Sequence, residues 1–168
     1  MTPKEFIKQY KPFALETERK TGISHLFILA QAALESGWGE RAPGHNFFGV
    51  KAKKDTSLQS KQLLITREVL PYKTPKQGQF AHVISITSRK DGKFDYKVKD
   101  WFMRYSTPEE GFTEHSNLFL RVPRYAEALK VKADPYKFAE AVAKAGYATA
   151  PDYAKILKDV IRTIEKNS

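Results

Sequence analysis

The hydrophobic periodicity of the chain changes twice, and this change limits its possible folds more than any other feature. Up to about position 49 and beyond about position 105, apolar side chains recur at the spacing of helices. Between these positions, short runs rich in Val, Ile, Thr, Phe and Tyr replace that spacing. We therefore predict an α+β fold, mainly α, in which a small β lobe of about residues 50–105 is inserted into a helical lobe. The whole chain, 1–168, is expected to form a single domain.

Capping signals set the expected helix boundaries. Thr2 and Glu5 have the spacing of a capping box, and Gly22 is expected to end the first helix. A second helix, His25 to Ser36, is apolar nearly all round and stops at Gly37, which predicts that it runs through the core. Further helices are predicted from Thr107 with a second capping box completed by Glu110, around Tyr125–Leu129, from Asp134 to Gly146, and from Pro151.

Three strands are predicted in the inserted lobe. Their residue types and alternation indicate residues 62–69, 81–87 and 94–99. Asp91-Gly92 separates the last two runs and is a strong signal for a hairpin turn. We therefore expect the second and third strands to pair as a hairpin.

The net charge indicates a polyanionic partner. The chain has 29 Lys and Arg against 19 Asp and Glu, a net charge of +10. Nucleic acid is one candidate partner, and an anionic cell-wall or membrane surface is the other. A soluble basic protein with scattered lysines would have the same charge. The lysines are spread along the sequence and no motif of a nucleic-acid reader is present, so we expect no nucleic-acid partner.

Several kinds of chemistry are excluded by what the chain lacks. It has no cysteine, so it has no disulfide, no thiolate nucleophile and no Cys-ligated metal. Its four histidines are widely separated and are more typical of structural positions than of metal ligands, so we expect neither a metal nor a cofactor. No stretch approaches 18 uninterrupted apolar residues, which predicts no transmembrane segment. The four histidines are His25, His45, His82 and His115.

Glu35 is the residue that most strongly indicates catalysis. It stands near the end of the apolar helix, directly before Ser36-Gly37-Trp38-Gly39, and shares a helical face with Gln31 and Ala32. The negative end of the helix dipole and partial burial near Trp38 would both favour its protonated form. A carboxyl that keeps its proton is what a general acid requires. An exposed glutamate at a frayed helix end would have the same local sequence.

Several motifs together carry a resemblance to a known family. The segments Gln31–Gly39 and Asn46–Lys51 resemble the start of the glycoside hydrolase family 73 domain, the β-N-acetylglucosaminidases of bacterial autolysins, flagellar hydrolases and phage lysins. The resemblance spans Phe6 to Ile164 and implies a single glucosaminidase domain with a lysozyme-like helical lobe. The other matching motifs, in order, are Thr66-x-Glu68, Phe102-x-x-Tyr105-Ser106 and Gly146-Tyr147-Ala148-Thr149-Ala150-Pro151-x-Tyr153-Ala154.

The resemblance implies a role for three catalytic candidates. Glu35 matches the catalytic acid, which would protonate the glycosidic oxygen that leaves C1 of N-acetylglucosamine. Glu68 matches a glutamate proposed as the base that activates water, although an outward-facing strand glutamate fits the same position. Alternatively, the 2-acetamido group of the sugar attacks C1, and Tyr147 helps to orient it.

Three further residues are expected to bind substrate. Trp38 and Tyr153 could pack aromatic faces against sugar rings, although Tyr153 also lies on the apolar face of the last helix. Asn46 could hydrogen-bond either the substrate or the loop backbone. Two departures from the family pattern are a longer stretch from Gln79 to Tyr96 and Ala150, which stands where many relatives have Asp.

The sequence therefore predicts a peptidoglycan hydrolase that cleaves the β-1,4 bond after N-acetylglucosamine in cell-wall glycan strands. The alternatives are a lytic transglycosylase or muramidase on the same polymer, a basic nucleic-acid-binding protein, and a catalytically silent wall-binding module. We expect a monomer that acts at the extracellular or periplasmic cell wall and is attracted to the anionic envelope surface. The first residues lack the layout of a signal peptide, so the export route is open.

Overall fold

The computed structural model describes all 168 residues, which form two units. The helical unit comprises residues 1–48 and 105–168, and the β unit comprises residues 49–104. The predicted α+β class, mainly α, is confirmed. The helices are α1 (Pro3–Thr21), α2 (His25–Ser36), α3 (Pro108–Arg121), α4 (Pro135–Lys144) and α5 (Tyr153–Asn167). The strands are β1 (Lys61–Leu70), β2 (His82–Ser88) and β3 (Phe94–Met103).

The first two helices begin and end where the capping signals predict. The Thr2 N–H donates to Glu5 Oε2 over 2.8 Å and the Glu5 N–H donates to Thr2 Oγ1 over 3.2 Å, which completes the capping box of α1. Ser24 caps α2 by accepting from the Leu26 N–H. Gly37 ends α2 with φ of 60°, a left-handed conformation that favours glycine because it has no Cβ.

The later helices depart from prediction in detail. Thr107 Oγ1 accepts from the Glu110 N–H as expected, but the Glu110 carboxylate accepts from the Ser106 N–H instead of the Thr107 N–H. The second capping box is therefore wrong in one of its two bonds. The helix expected around Tyr125–Leu129 consists of two 3₁₀ turns, α4 ends two residues before Gly146, and α5 begins two residues after Pro151.

Helix α2 lies inside the helical unit. Every residue from Phe27 to Ala33 is buried, and contacts with α1, α4 and α5 surround the helix. Aromatic rings fill the space around it, as in the pair of Phe27 and Phe138 with centroids 4.6 Å apart. The backbone at His45 approaches α3 so closely at Gly111 that only glycine fits there. A Cβ at this position would lie 2.6 Å from the His45 carbonyl oxygen. No helix of the protein is both long and apolar enough to span a bilayer.

The β unit is a three-stranded antiparallel sheet in the order β1-β3-β2. Each strand is within a few residues of its predicted range, and residues 89–93 form the turn between β2 and β3. Glu68 on β1 pairs with Tyr96 on β3, so both side chains lie on the same face of the sheet. Tyr96 is fully buried, whereas Ile65 on the opposite face is 59 % exposed.

The charge of the chain divides unequally between the units. The β unit contains 13 Lys and Arg against 5 Asp and Glu, a net charge of +8. The helical unit contains the remaining 16 Lys and Arg against 14 Asp and Glu, a net charge of +2. The lysines are spread along the chain, but the net positive charge is concentrated in the β unit. The β unit has one third of the residues and four fifths of the net charge, mainly because it has few acids.

Candidate active site

Glu35 lies in the last turn of α2 and is partly buried. Its Oε1 atom accepts a hydrogen bond from Tyr147 Oη over 2.9 Å and a longer one from Tyr153 Oη over 3.5 Å. Both bonds end on the same carboxyl oxygen. The other oxygen, Oε2, is therefore the position at which a proton on this carboxyl would reside.

The two tyrosines reach Glu35 from the segment that joins α4 to α5. Tyr147 follows α4, where its N–H donates to the Val142 carbonyl, and Tyr153 is the first residue of α5. Their rings stack with centroids 5.5 Å apart and planes at 27°. Burial, followed by the nearby Glu35 carboxyl, raises the pKa of both hydroxyls. Both tyrosines therefore remain protonated donors at any working pH.

Burial raises the pKa of Glu35 above its ordinary value, and the hydrogen bonds from Tyr147 and Tyr153 oppose this rise only in part. No lysine or arginine forms an ion pair with Glu35. The carboxyl therefore keeps its proton to a higher pH than an ordinary glutamate, as the sequence analysis expected from its place on an apolar helix. This property suits a general acid.

Two residues that sequence reasoning did not assign complete the network around Glu35. Gln31, one turn before Glu35 on α2, donates from Nε2 to Tyr153 Oη over 2.9 Å and accepts at Oε1 from His115 Nε2 over 2.9 Å. Because Tyr153 Oη accepts from Gln31, its own proton is free to point at Glu35. Gln31 was the one polar residue within the apolar run of α2, and this was the available signal.

His115 was expected to be structural, and the structure places it in contact with Gln31 and Tyr147, two members of the network around Glu35. Its ring stacks on Phe48 with centroids 3.7 Å apart, and its Nε2 lies 3.4 Å from Tyr147 Oη. Burial lowers the pKa of His115 to about 3. The imidazole is therefore neutral at working pH, and no cation stands beside Glu35 to lower its pKa.

The helical unit contains two further candidates, Trp38 and Asn46. Trp38, with φ of 57°, packs its ring edge-on against Phe6, with centroids 5.5 Å apart. Asn46 is 4 % exposed and follows the short 3₁₀ turn Pro43–His45. The hydrogen-bond network thus brings together Glu35, Tyr147 and Tyr153, and Trp38 packs against the hydrophobic core.

Glu68 belongs to the β unit, where its surroundings differ from those of Glu35. Lys51 Nζ lies 3.2 Å from Glu68 Oε2 and 3.4 Å from Asp100 Oδ2. The Glu68 side chain is 31 % exposed. It is therefore a partly solvated side chain with an ammonium partner, whereas Glu35 has no such partner. No group of three or more His, Asp or Glu side chains is arranged to hold a metal ion.

Comparison with known proteins assigns the chain to a family. The family model described as mannosyl-glycoprotein endo-β-N-acetylglucosaminidase, the glucosaminidase model, matches residues 11–166. The peptidoglycan hydrolase FlgJ of Escherichia coli K12 is 34 % identical over 172 residues, which cover 98 % of this chain. The alignment covers 48 % of that relative, so the chain spans about half the length of this curated relative.

Solved structures agree with this assignment. The glycoside hydrolase domain of Salmonella typhimurium FlgJ, in a C-terminally truncated form, superposes with a TM-score of 0.75 at 32 % identity, covering 99 % of this chain and 100 % of that one. A peptidoglycan hydrolase from Sphingomonas sp. A1 superposes with a TM-score of 0.61 at 25 % identity, covering 98 % and 95 %. Neither the transglycosylase nor the nucleic-acid alternative is favoured by these relatives.

Proposed function

The chain belongs to the glucosaminidase family, and from this premise we propose that it hydrolyses the β-1,4 bond after N-acetylglucosamine in the glycan strands of peptidoglycan. The observation that carries the proposal is the state of Glu35, a partly buried carboxyl with raised pKa whose one oxygen accepts from two tyrosine hydroxyls. A carboxyl in this environment holds its proton at neutral pH more readily than an ordinary glutamate and can donate it to the glycosidic oxygen of a bound substrate.

In the first step, Glu35 acts as the general acid. The proton on Oε2 passes to the glycosidic oxygen as the bond from that oxygen to C1 breaks, and the sugar ring takes on positive charge. Glu35 is then a carboxylate. The hydroxyls of Tyr147 and Tyr153 already donate to its Oε1, so they stabilise the charge that the step creates without rearrangement.

Two routes can complete the reaction. In the first, Glu68 takes a proton from water as the water oxygen attacks C1, and the configuration at C1 is inverted. In the second, the oxygen of the 2-acetamido group attacks C1 and water later opens the resulting ring, so the configuration is retained. Tyr147 serves the second route, because its Oη donates to Glu35 and still has a lone pair to accept the acetamido N–H.

The product of digestion tests the proposed reaction. Purified peptidoglycan is treated with the protein, the new ends are reduced with borohydride, and the fragments are identified by mass spectrometry. We expect reduced N-acetylglucosamine ends, and none from the Glu35→Gln variant. Reduced N-acetylmuramic acid ends would identify a muramidase, and 1,6-anhydromuramyl ends would identify a lytic transglycosylase. Either result would overturn the proposal, and so would the absence of new ends.

The proposed substrate also sets the place of action and the partner. Peptidoglycan lies outside the cytoplasm, so the protein acts at the extracellular or periplasmic face of the wall, as a monomer. Its net charge of +10 draws it to the anionic envelope surface. Trp38 and Asn46 are retained as proposed substrate contacts, and Tyr153 acts mainly by orienting Glu35, because it is only 8 % exposed.

A further inference from the structure

The β unit contains a cavity of about 260 Å³ whose wall is rich in lysine. Lys51, Lys53, Lys54 and Lys61 line it together with the aromatic rings of Phe80 and Trp101. All of these residues belong to the β unit, which carries the excess of positive charge. Ammonium groups and aromatic rings that face one small space are the features of a site for an anionic ligand with an apolar part.

The lysines of this cavity are not equivalent. Lys51 already lies between the carboxylates of Glu68 and Asp100. The Lys61 ammonium lies over the Trp101 ring, 4.5 Å from its centroid, which positions the cation without neutralising it. Lys53 and Lys54 are exposed and form no ion pair. Three positive charges are therefore available to a ligand, and the one acidic side chain of the wall, Asp100, is paired.

We propose that this lysine cavity binds the carboxylates of the peptide stems that branch from the glycan strand. The inference rests on the proposed function, since only a peptidoglycan substrate carries such stems. In that polymer every N-acetylmuramic acid bears a short peptide, and its carboxylates are the anionic groups closest to the sugars. Lysine ammonium groups pair with carboxylates, while Phe80 and Trp101 offer an apolar wall to the alkyl parts of the stem.

The size and the connections of the cavity support this ligand. A volume of about 260 Å³ is below the range of about 300–1,000 Å³ for pockets that enclose a whole small-molecule ligand, so it fits one or two residues of a chain that continues outside. Lys51 joins the cavity wall to Glu68 through a single ion pair. A stem bound here would therefore be held by the same strand system that carries the proposed base.

The test compares two substrates and two pairs of substitutions in the full chain. The substrates are peptidoglycan sacculi free of phosphate polymers and the same glycan strands after an amidase has removed the stems. The cavity variant is Lys53→Gln with Lys54→Gln. The control is Lys90→Gln with Lys93→Gln, which removes two exposed charges from the turn between β2 and β3, outside the cavity. Both variants alter exposed lysines, and equal thermal unfolding midpoints confirm that both fold.

We expect the cavity variant to lower kcat/KM on intact sacculi by about fivefold, chiefly through KM, and to leave kcat/KM on stripped strands within about twofold. The control should change neither substrate by more than about twofold. An equal loss on both substrates, or no loss on sacculi, would overturn the stem-binding role. If the wild-type protein cleaves neither substrate, the proposed function itself fails, and that outcome is distinct from the others.

Discussion

The helical unit and the β unit each contain one of the two carboxyl groups proposed for catalysis, and their environments are opposite. In the helical unit, Glu35 accepts from two tyrosine hydroxyls, which are in turn in contact with Gln31 and the neutral His115. In the β unit, Glu68 has an ammonium 3.2 Å away and eight net positive charges in its unit. Burial raises the pKa of Glu35 and so favours its protonated form, whereas Glu68 is partly exposed and ion-paired with Lys51. The two glutamates therefore suit different proposed roles.

The two units also differ in net charge. A basic surface favours binding to an anionic polymer, whereas a cation close to Glu35 would lower the pKa on which its proposed role as an acid depends. Within the helical unit, whose net charge is +2, Glu35 has no ion-pair partner, whereas the β unit carries a net charge of +8. The proposed attraction to an anionic polymer therefore rests mainly on the β unit.

The largest expected effect comes from Glu35→Gln, which removes the proton donor of the helical unit. We expect the rate of reducing-end release to fall by about 10³-fold, within the range typical of general acids. Glutamine keeps an oxygen that can accept from Tyr147, so the fold should persist. Glu127→Gln, which neutralises a side chain that is 85 % exposed, should leave the rate unchanged. Retention of most activity in Glu35→Gln would contradict its role as the acid.

The same variant should also be more stable than the wild type at neutral pH. Because the folded state raises the pKa of Glu35, it binds this proton more tightly than the unfolded state does. The stabilisation is complete below the ordinary pKa of about 4.5 and is lost as the pH rises through the raised value. Denaturant unfolding at pH 4 and pH 7 should therefore show a gain for Glu35→Gln over the wild type that is larger at pH 7. A larger gain at pH 4 would contradict the burial of this carboxyl.

The second effect tests whether the β unit contributes chemistry as well as charge. Glu68→Gln should lower kcat/KM by about 10- to 100-fold, less than Glu35→Gln, because the acid is needed in both routes and the base in only one. NMR of the first product then identifies the route. An α-anomer indicates inversion by water that Glu68 activates, and a β-anomer indicates acetamido assistance. Full activity of Glu68→Gln would rule out Glu68 as the base, and Asp55→Asn, an exposed acid of the same unit, is the matched control.

The third effect concerns the network that tunes the acid. The hydrogen bond from Tyr147 lowers the pKa of Glu35, so Tyr147→Phe should raise that pKa further. Since the acid must be protonated, the alkaline limb of the kcat/KM profile should move to higher pH, while the maximal rate falls by about tenfold. Tyr136→Phe removes a tyrosine–glutamate hydrogen bond, to Glu165, elsewhere in the helical unit and should move neither. A shift of the limb to lower pH would contradict this arrangement.

Structural features that depend only on neighbouring residues could be predicted from the sequence. The limits of α2 follow from Ser24 and Gly37, and Glu35 was conspicuous because it is the only acidic residue on an apolar helix. Tyr147 was expected only from a family motif, as a residue that orients the substrate's 2-acetamido group, and its bond to Glu35 was not predicted. The sequence does not indicate that Tyr147, 112 positions from Glu35, donates to the Glu35 carboxyl. The two residues are brought together only by the packing of α2 against α5.

Features that depend on tertiary packing were missed. His115 is 84 positions from Gln31 and has no local pattern that sets it apart from a structural histidine. The uneven charge was hidden because the lysines do occur along the whole chain, and the difference arises from the small number of acids in residues 49–104. The hydrogen bond from the Ser106 N–H to Glu110 was missed for a similar reason. The spacing of a capping box can be read from the sequence, but the direction in which the Glu110 side chain points cannot.

The smallest expected effect is a difference in wall binding between two variants, one that loses two lysines from the β unit and one that loses two from the helical unit. Lys97→Gln with Lys99→Gln removes two charges from β3, and Lys137→Gln with Lys166→Gln removes two from α4 and α5. At physiological salt the Debye length is about 8 Å, so each lysine acts with its local neighbours and not with the whole protein. Retention on sacculi should therefore weaken by about two- to threefold for the β pair and less for the helical pair, with both differences shrinking as salt is added. Equal losses of retention from the two pairs would show that binding to sacculi depends on the total charge of the protein. The two units would then differ in their proposed catalytic groups but not in their contribution to wall binding.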